Sequence, residues 1–536
     1  MNEWLEIPEN IDEMRKLLVD LAKQNRKLES KNTQLEIQIN QYQEQIALLL
    51  HKRFGANSEK YSAEQSDLFN EAETYAEELA RADDAASEQD NTQQDDNQTE
   101  VIAYTRQKNT AGRKPLPEHL PRVEVVHALP EAQRVCPEGH PLKEIGADSS
   151  EQLDIIPAKI QVIVNKRIKY ACPCCQGHIK LAPLPAQPIP KSNASPGLLA
   201  YVATSKFLDA LPLYRQSKQF ERIGVEIPRS TLAFWMIRSG ELVQPLFNLM
   251  QDQLNLYPIL QMDETRVQVL KEADKSPSSQ SYVWARRSLA PDTPVVLFNY
   301  AASRGQSVAD HLLQSYTGVL QTDGYAGYSG LCVKRGLQHV GCWAHVRRKF
   351  DEALKAQGNK GKAGKASKAL LIIQKLYRVE TLIKGLSPTE KQRIRQQQSV
   401  PILNELKDWM DKSLTQVTPS SLTGKALRYM VNQWSTLIVY CDNGSIEIDN
   451  NGVERAIRPF VIGRRNWLFS DTVKGAKASA NLYSLIETAK LNGLEPYRYL
   501  RHILTALPKA NSLEEIDALL PWAVDKETIN EGWAIV

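Results

Sequence analysis

Two aspartates, each set at the end of an apolar run, constrain this chain more than any other feature of its sequence. Asp263 follows Ile259, Leu260 and Met262 within "PILQMDETRVQVL", and Asp323 follows Val319 and Leu320 within "GVLQTDGYAGY". Both runs read as buried strands. A carboxylate in such a setting is costly to bury unless it is paired or bound to a cation. For either aspartate alone, a strand end satisfied by turn amides is the alternative. Two in two core strands ask for a common reason.

The segments around them supply one. "SYVWARRSL" and "PVVLFNYAAS" are further strand candidates, and "GQSVADHLLQSY" has helical spacing before the strand that ends on Asp323. Three meandering strands, a helix and a fourth strand make the opening order of a ribonuclease-H-like α/β fold. There, the middle of the first strand neighbours the end of the fourth, which would bring Asp263 to Asp323. A fifth strand, "LQHVG", leads into the basic amphipathic "CWAHVRRKFDEALK". The cationic "AQGNKGKAGKA" then opens a mostly helical insertion, about 356–435. After "STLIVYCDNG", the segment "DNNGVERAIRP" begins a helix with Glu454. Laid over the sheet, that helix points Glu454 at the edge where the aspartates emerge, with Arg455, Arg458, Arg464 and Arg465 around it. Asp449 and Glu447 are the rival carboxylates, being nearer the preceding strand. Converging carboxylates repel unless cations hold them, and oxygen-only ligands select Mg²⁺ or Mn²⁺. Two such ions about 3.5–4 Å apart activate the attacking oxygen and stabilise the leaving one in phosphodiester displacement.

The rest of the chain fits a polyanionic partner. Residues 64–100 carry thirteen acidic side chains and one basic one, so although the net charge is only +3 the remainder is distinctly basic. Met14, Leu21, Leu28, Leu35, Tyr42 and Leu49 form one heptad seam, with Leu18, Asn25, Asn32, Ile39 and Ile46 on the other. This predicts a coiled coil, and the seam asparagines favour a single register and a dimer. The acidic stretch lacks periodicity and reads as a disordered spacer. "NTAGRKPLPEHLPR" reads as a linker, and its Gly112-Arg113-Lys114-Pro115 as a candidate minor-groove arm. "CPEGH" and "CPCC" offer Cys136, His140, Cys172 and Cys175 as a tetrahedral zinc set, with Cys174 and His178 as substitutes; a cluster of reduced, metal-free cysteines is the alternative. Three helices follow, over 196–245. Gly224 lies at the last junction, Ser230 and Thr231 are suited to open the final helix, and Arg229 and Arg238 flank it. The pattern is that of a helix-turn-helix. No run approaches the roughly 18 apolar residues of a membrane span, and the amino terminus lacks a signal-peptide pattern, so a cytoplasmic location is expected.

These residues carry a resemblance that extends over nearly the whole chain. The coiled coil with "RFGANSEKY", then "LDALPLYRQ", "QMDETRVQV", "TDGYAGY", "GCWAHVRRKF", "DNNGVERAIRP", "GRRNWLFS", "EPYRYLRHIL" and "ALLPWAV" resemble the transposases of the insertion sequence 66 family, within the DDE (Asp-Asp-Glu) superfamily. The resemblance implies Asp263, Asp323 and Glu454 as a catalytic triad. It also implies Mg²⁺-dependent cutting of element ends and joining of their 3′ hydroxyls to target DNA. Asp263 would bridge both metals, with Asp323 and Glu454 each holding one. His345, Arg347 and Arg348 would contact DNA near the scissile phosphate, although a structural hydrogen bond is an equal reading for His345. Trp467 is read as a core residue, with base stacking as the alternative. The partners implied are double-stranded DNA, a second copy through the coiled coil, and small accessory proteins encoded by the same element. The zinc module departs from the family in having C-x-x-x-H where a second C-x-x-C is usual.

The expected architecture is multidomain α+β. It comprises a coiled coil (1–60), an acidic linker (61–108), a zinc-binding-like module (109–190), a helix-turn-helix region (191–250), a ribonuclease-H-like catalytic domain with a helical insertion (251–480) and a C-terminal helical region (481–536). A DNA-binding regulator without catalysis and a nuclease that cuts without joining are the rival functions.

Overall fold

The computed structural model describes residues 10–54, 160–171, 179–290, 292–357 and 364–531. The chain divides into two units, Met1–Asn57 with Pro185–Val536, and Ser58–Leu184. In the second unit β1 (Lys169–Ala171) pairs antiparallel with β2 (Ile179–Leu181). The candidate zinc ligands Cys136, His140, Cys172 and Cys175 lie outside the described residues, as do Cys174, His178, the acidic stretch and the 109–122 segment.

The first unit opens with α1 (Ile11–Phe54), one continuous helix of 44 residues. Its seam side chains Met14, Leu18, Leu21, Leu28, Leu35, Ile39, Tyr42 and Ile46 are all exposed. Then come α2 (Pro196–Phe207), α3 (Leu213–Arg222), α4 (Arg229–Leu242) and α5 (Gln244–Asn255). The α3–α4 junction turns at Gly224, whose φ of 84° a side chain would strain. Helix α4 starts earlier than Ser230, because Pro228, with its fixed φ, already occupies the cap position and no side chain caps the helix.

The sheet is built on β3 (Ile259–Lys271). β4 (Gln280–Ser288) pairs antiparallel with it, and β5 (Val296–Ala301) antiparallel with β4. After α6 (Gln306–Leu312), β6 (Val319–Gln321) joins β3 on the other side in parallel, and α7 (Ala326–Arg335) leads to β7 (Gln338–Val340), parallel to β6. The order is β5-β4-β3-β6-β7, with β8 (Ser470–Thr472) pairing the far end of β3. Beyond the sheet run α8 (Trp343–Gln357), α9 (Lys365–Leu382), α10 (Pro388–Ile394), a π-helical turn (Arg395–Ser399), α11 (Val400–Leu414), α12 (Leu422–Leu437), α13 (Asn451–Trp467), α14 (Val473–Leu491) and α15 (Pro496–Ala506). The fold is mixed α+β.

Two hydrophobic cores flank the sheet. One joins α2 to α5, α13, α14 and α15 to the sheet through Trp235, Met250, Trp284, Phe298, Phe460 and Tyr483. The other seats α8 and the insertion helices on Ile259, Val319 and Val340 through Trp343, Phe350, Ile373, Leu406 and Leu427. Helix α14 is rich in Ala and Ser and buried over most of its length, which lets it approach its neighbours closely. It also closes the sheet edge. Ser484 Oγ accepts from the Phe298 amide at 2.8 Å and Thr488 Oγ1 from the Val296 amide at 3.0 Å, so β5 does not offer these groups to another chain.

Helix α4 crosses α14 at Gly240, where a Cβ would stand 2.5 Å from Ala478 Cβ and 2.6 Å from its Cα. Gly240→Ala should therefore lower the urea-unfolding free energy by about 1–3 kcal/mol, despite alanine's better helix propensity.

Candidate functional site

Strand β3 outruns its partners on one edge. β6 covers it at Ile259–Gln261 and β8 only at Val269 and Lys271, so positions 262–268 have no strand neighbour on that side. Asp263 lies at the mouth of this gap. In the parallel register Gln261 stands opposite Gln321, so Asp263 and Asp323 each follow two residues beyond the last paired rung. Asp323 is past the end of β6, and its Oδ1 accepts from the Tyr325 amide at 3.0 Å. Helix α13 packs on β3, with Glu454 in its first turn.

A knot of buried amides holds α13 there. Gln261 and Gln321 are both wholly buried. Gln261 Nε2 donates to Gln321 Oε1 at 2.9 Å, Glu447 Oε2 at 3.0 Å and the Asp449 carbonyl at 3.1 Å. Its Oε1 accepts from Arg287 Nη1 at 3.2 Å and from the Val453 amide, at the start of α13, at 3.1 Å. Gln321 Nε2 donates to the Glu447 carbonyl at 2.7 Å. A Cβ on Gly452 would stand 2.1 Å from Arg287 Nη1 and 2.5 Å from Gln261 Oε1, so a side chain there would displace the ends of both. Two tyrosines from the insertion brace the same loops. Tyr377 donates to Asp449 Oδ2 at 2.9 Å, and Tyr429 Oη accepts from the Gly324 amide at 3.1 Å.

The electrostatics fit a site that calls for positive charge. Burial pushes the Asp263 carboxyl well above the usual aspartate range, and the nearby Glu264, Glu454 and Asp323 push it further. Glu264 is also raised, chiefly by burial, although Arg304 and the Tyr328 hydroxyl both bond its carboxylate. Glu454 Oε1 is 3.5 Å from His345 Nε2, and its Oε2 is 3.3 Å from Arg348 Nη2. Burial lowers the His345 pKa below the ordinary imidazole value, against the pull of Glu454. Among the described residues, no three carboxylate, thiol or imidazole groups stand close enough as they lie to share a metal ion. The donor chemistry nevertheless fits Mg²⁺ or Mn²⁺: the groups acting on Asp263 are carboxylates, and their mutual repulsion is what a cation relieves.

Of the rival carboxylates, Asp449 is buried and its oxygens are taken up by Tyr377 and by Asn451, while Glu447 is more exposed and faces Gln261 and Arg287. Arg347 lies over the Tyr377 ring at 5.7 Å. Arg464 Nη1 donates to Thr265 Oγ1 at 3.2 Å and to the Arg266 carbonyl, tying α13 to β3 rather than standing free. Arg455 and Arg465 are exposed and Arg458 is half-buried on α13. Arg229 is exposed at the start of α4, and Arg238 pairs with Glu241 one turn on. Trp467 packs edge-on against Phe460, with ring centroids 5.5 Å apart. Sequence reasoning passed over Gln261, Gln321 and Glu264. The signal was present, since two glutamines interrupt two apolar strands two residues before the aspartates.

Comparison with known proteins agrees along the chain. A family model described as "Transposase IS66 family" matches residues 191–478, and one described as "IS66 C-terminal element" matches 484–522. The "zinc-finger binding domain of transposase IS66" matches 133–176, and "Transposase C of IS166 homeodomain" matches 41–125. Among curated relatives, the chain is 34% identical over 419 residues to the uncharacterized protein y4jD of Sinorhizobium fredii (strain NBRC 101917 / NGR234), covering 76% of this chain and 81% of that one. It is 34% identical over 429 residues to y4qI of the same strain, covering 78% of each.

Replacing Gln261 by Met keeps the volume but removes the donor to Gln321 Oε1 and the acceptor shared by Arg287 Nη1 and the Val453 amide, so unfolding free energy should fall by about 1–3 kcal/mol. Hydrogen exchange at the first turn of α13 should quicken with it. Asp263 has a folded pKa above its unfolded one, so the stability that its protonated form confers is present at low pH and lost as pH rises towards that raised value. Accordingly Asp263→Asn should stabilise the metal-free protein at pH 7, read as a higher denaturant midpoint than the wild type. The gain should vanish as pH falls into the ordinary aspartate range.

Proposed function

The chain belongs to the IS66 transposase family, and on that premise we propose that it is a DDE transposase acting on DNA through a ribonuclease-H-like core. It would bind the terminal repeats of an insertion element, cut them, and join the freed 3′ ends to target DNA. The observation that carries this reading is geometric. Gln261 of β3 stands opposite Gln321 of β6, so Asp263 and Asp323, 60 residues apart, each lie two residues beyond the same rung, and α13 packs on β3 with Glu454 in its first turn.

In this reading Asp263, Asp323 and Glu454 are the catalytic carboxylates, and between them they hold Mg²⁺ or Mn²⁺. Such ions, when bound, would activate the attacking oxygen and stabilise the leaving one. The chain's own residues do the rest. Gln261 and Gln321 fix the start of α13, and so the height of Glu454 over the sheet. His345 and Arg348 engage both oxygens of that carboxylate, so loading the site requires Glu454 to exchange these partners for metal. Arg347, Arg348, Arg455, Arg458 and Arg465 offer cationic charge to phosphates around the carboxylates. Arg229 and Arg238 do so on α4, the second helix of the helix-turn-helix. Cys136, His140, Cys172 and Cys175, all within the span matched by the zinc-finger family model, are the proposed zinc ligands. The exposed heptad seam of α1 pairs with a second copy, so that both element ends are handled in one complex.

The test is cleavage and joining of a labelled duplex that carries the element's terminal repeat, with Mg²⁺ or Mn²⁺, comparing the wild type with Glu454→Gln. Wild-type product should be metal-dependent, and the variant should lose at least about 100-fold in rate. Equal activity in the two proteins would remove Glu454 from the site. Cutting without joining would point to a nuclease, and binding without cutting to a regulator.

A further inference from the structure

At the far end of α13 the backbone makes a turn that its own packing does not repay. Leu468 has φ 67° and ψ −54°, and the Phe469 amide donates to the Trp467 carbonyl at 2.9 Å. This is the rarer, positive-φ form of the γ-turn, strained for any residue with a Cβ. Leucine has no local polar group that favours it. Nor does burial compensate, because Leu468 is 63% exposed and Phe469 42% exposed. The turn is pinned on both sides. Before it, the Trp467 ring rests on Phe460 and lies 5.0 Å beneath the Lys206 ammonium. After it, Ser470 pairs with Val269 of β3. Two large apolar side chains are thus held out rigidly into solvent.

What surrounds this tip indicates what covers it. Arg455, Arg458 and Arg465 recur along one face of α13, three and then seven residues apart, and among the described residues no ion pair engages them. The acidic residue beside the tip, Asp471, is already paired with Lys271 at 2.9 Å. An unpaired cationic stripe ending in an apolar point fits a polyanion whose interior is apolar. Duplex DNA is such a molecule, with phosphates outside and stacked bases within. Leu and Phe are among the side chains that enter between base steps and unstack them. Fourteen residues separate Glu454 from Leu468, about 21 Å along the helix. Laid along the axis of a duplex, that length spans about six base pairs.

We propose that Leu468 and Phe469 form an apolar wedge that unstacks one base step of bound duplex DNA, about six base pairs from the position served by Glu454. The proposal rests on the DNA-acting function above and assigns a second point of contact to it. Arg455, Arg458 and Arg465 carry the backbone between the two points. The strained turn keeps the wedge extended before DNA arrives, so little ordering is left to do on binding.

The test uses the full-length protein and duplexes carrying the element's terminal repeat, with 2-aminopurine placed singly at each step within the first ten base pairs. Fluorescence is read without divalent metal, so that no strand is cut. Wild-type protein should raise it several-fold at one or two adjacent steps near the sixth pair, with no change elsewhere. Leu468→Ser/Phe469→Ser should abolish that rise and slow Mg²⁺-dependent cleavage about tenfold or more. A mismatch built into the same step should restore most of the lost rate. Leu468→Gly, which relieves the positive-φ strain, should raise the thermal midpoint while reducing the fluorescence change, separating the wedge from any role in folding. Wild-type cleavage with flat fluorescence at every step would overturn the wedge alone. So would an unchanged rise in the double variant, or a double variant that alters only the oligomeric state. A wild-type protein that neither binds nor cuts the repeat would overturn the proposed function, and the wedge with it.

Discussion

The arrangement of the site depends on one buried side chain, the carboxamide of Gln261. It sits at the last rung shared by β3 and β6, and its two ends face different ways. The amide end bonds the neighbouring strand and the loop before α13, while the carbonyl end accepts from the Val453 amide in the first turn of α13, which it shares with the Asn450 carbonyl, and from a guanidinium. A helix N-terminus has unsatisfied N–H groups that need an acceptor. Supplying that acceptor from the sheet fixes both the position and the direction of the helix. A buried amide network of this kind is favourable only when its members are nearly all satisfied, so its geometry admits little variation. That rigidity is useful where carboxylates far apart in sequence must converge.

The carboxylates themselves work against the fold. Asp263 is half-buried among like charges, with no arginine or lysine bonded to its oxygens among the described residues, and its pKa is raised accordingly. The neighbouring Glu264 shows the contrast. It is just as buried, but Arg304 and Tyr328 bond it from the α7 side, where the Arg304 guanidinium also stacks over Tyr325 at 4.1 Å. Two adjacent acids on opposite faces of one strand therefore have different roles, one braced by protein groups and the other left short of them. Sites left short of compensation in this way are where function is most often found.

Much of this was legible from the sequence. Strand and helix order followed from apolar periodicity punctuated by glycine and proline. Asp263 and Asp323 stood out because charge in an apolar strand needs a reason, and Gly224 because a tight turn between helices needs positive φ. What stayed hidden depended on long-range partners. Gln261 and Gln321 look like ordinary polar interruptions until the register sets them opposite each other. Arg464 and Arg465 are alike in sequence, yet one is spent on a β3 carbonyl and the other is exposed. The merging of α4 with the sheet's core rests on a glycine–alanine crossing between helices more than 230 residues apart, Gly240 and Ala478, which no local pattern encodes. Helix α1 was plain as a heptad, since its seam needs only its own spacing to be recognised.

The insertion of α9 to α12 reads in sequence as a mostly helical excursion between the fifth strand and Glu454. Its tyrosines give it another character. Tyr429 reaches the turn just after Asp323, and Tyr377 reaches the loop that leads to Glu454. Each hydroxyl touches a different acid-bearing segment, and the two tyrosines stand on helices packed into one cluster. The insertion thus behaves as a jig that gauges the distance between two parts made far apart on the chain. Shortening its outer turns would leave that gauge intact, whereas shifting one of its helices by a single turn would reset it.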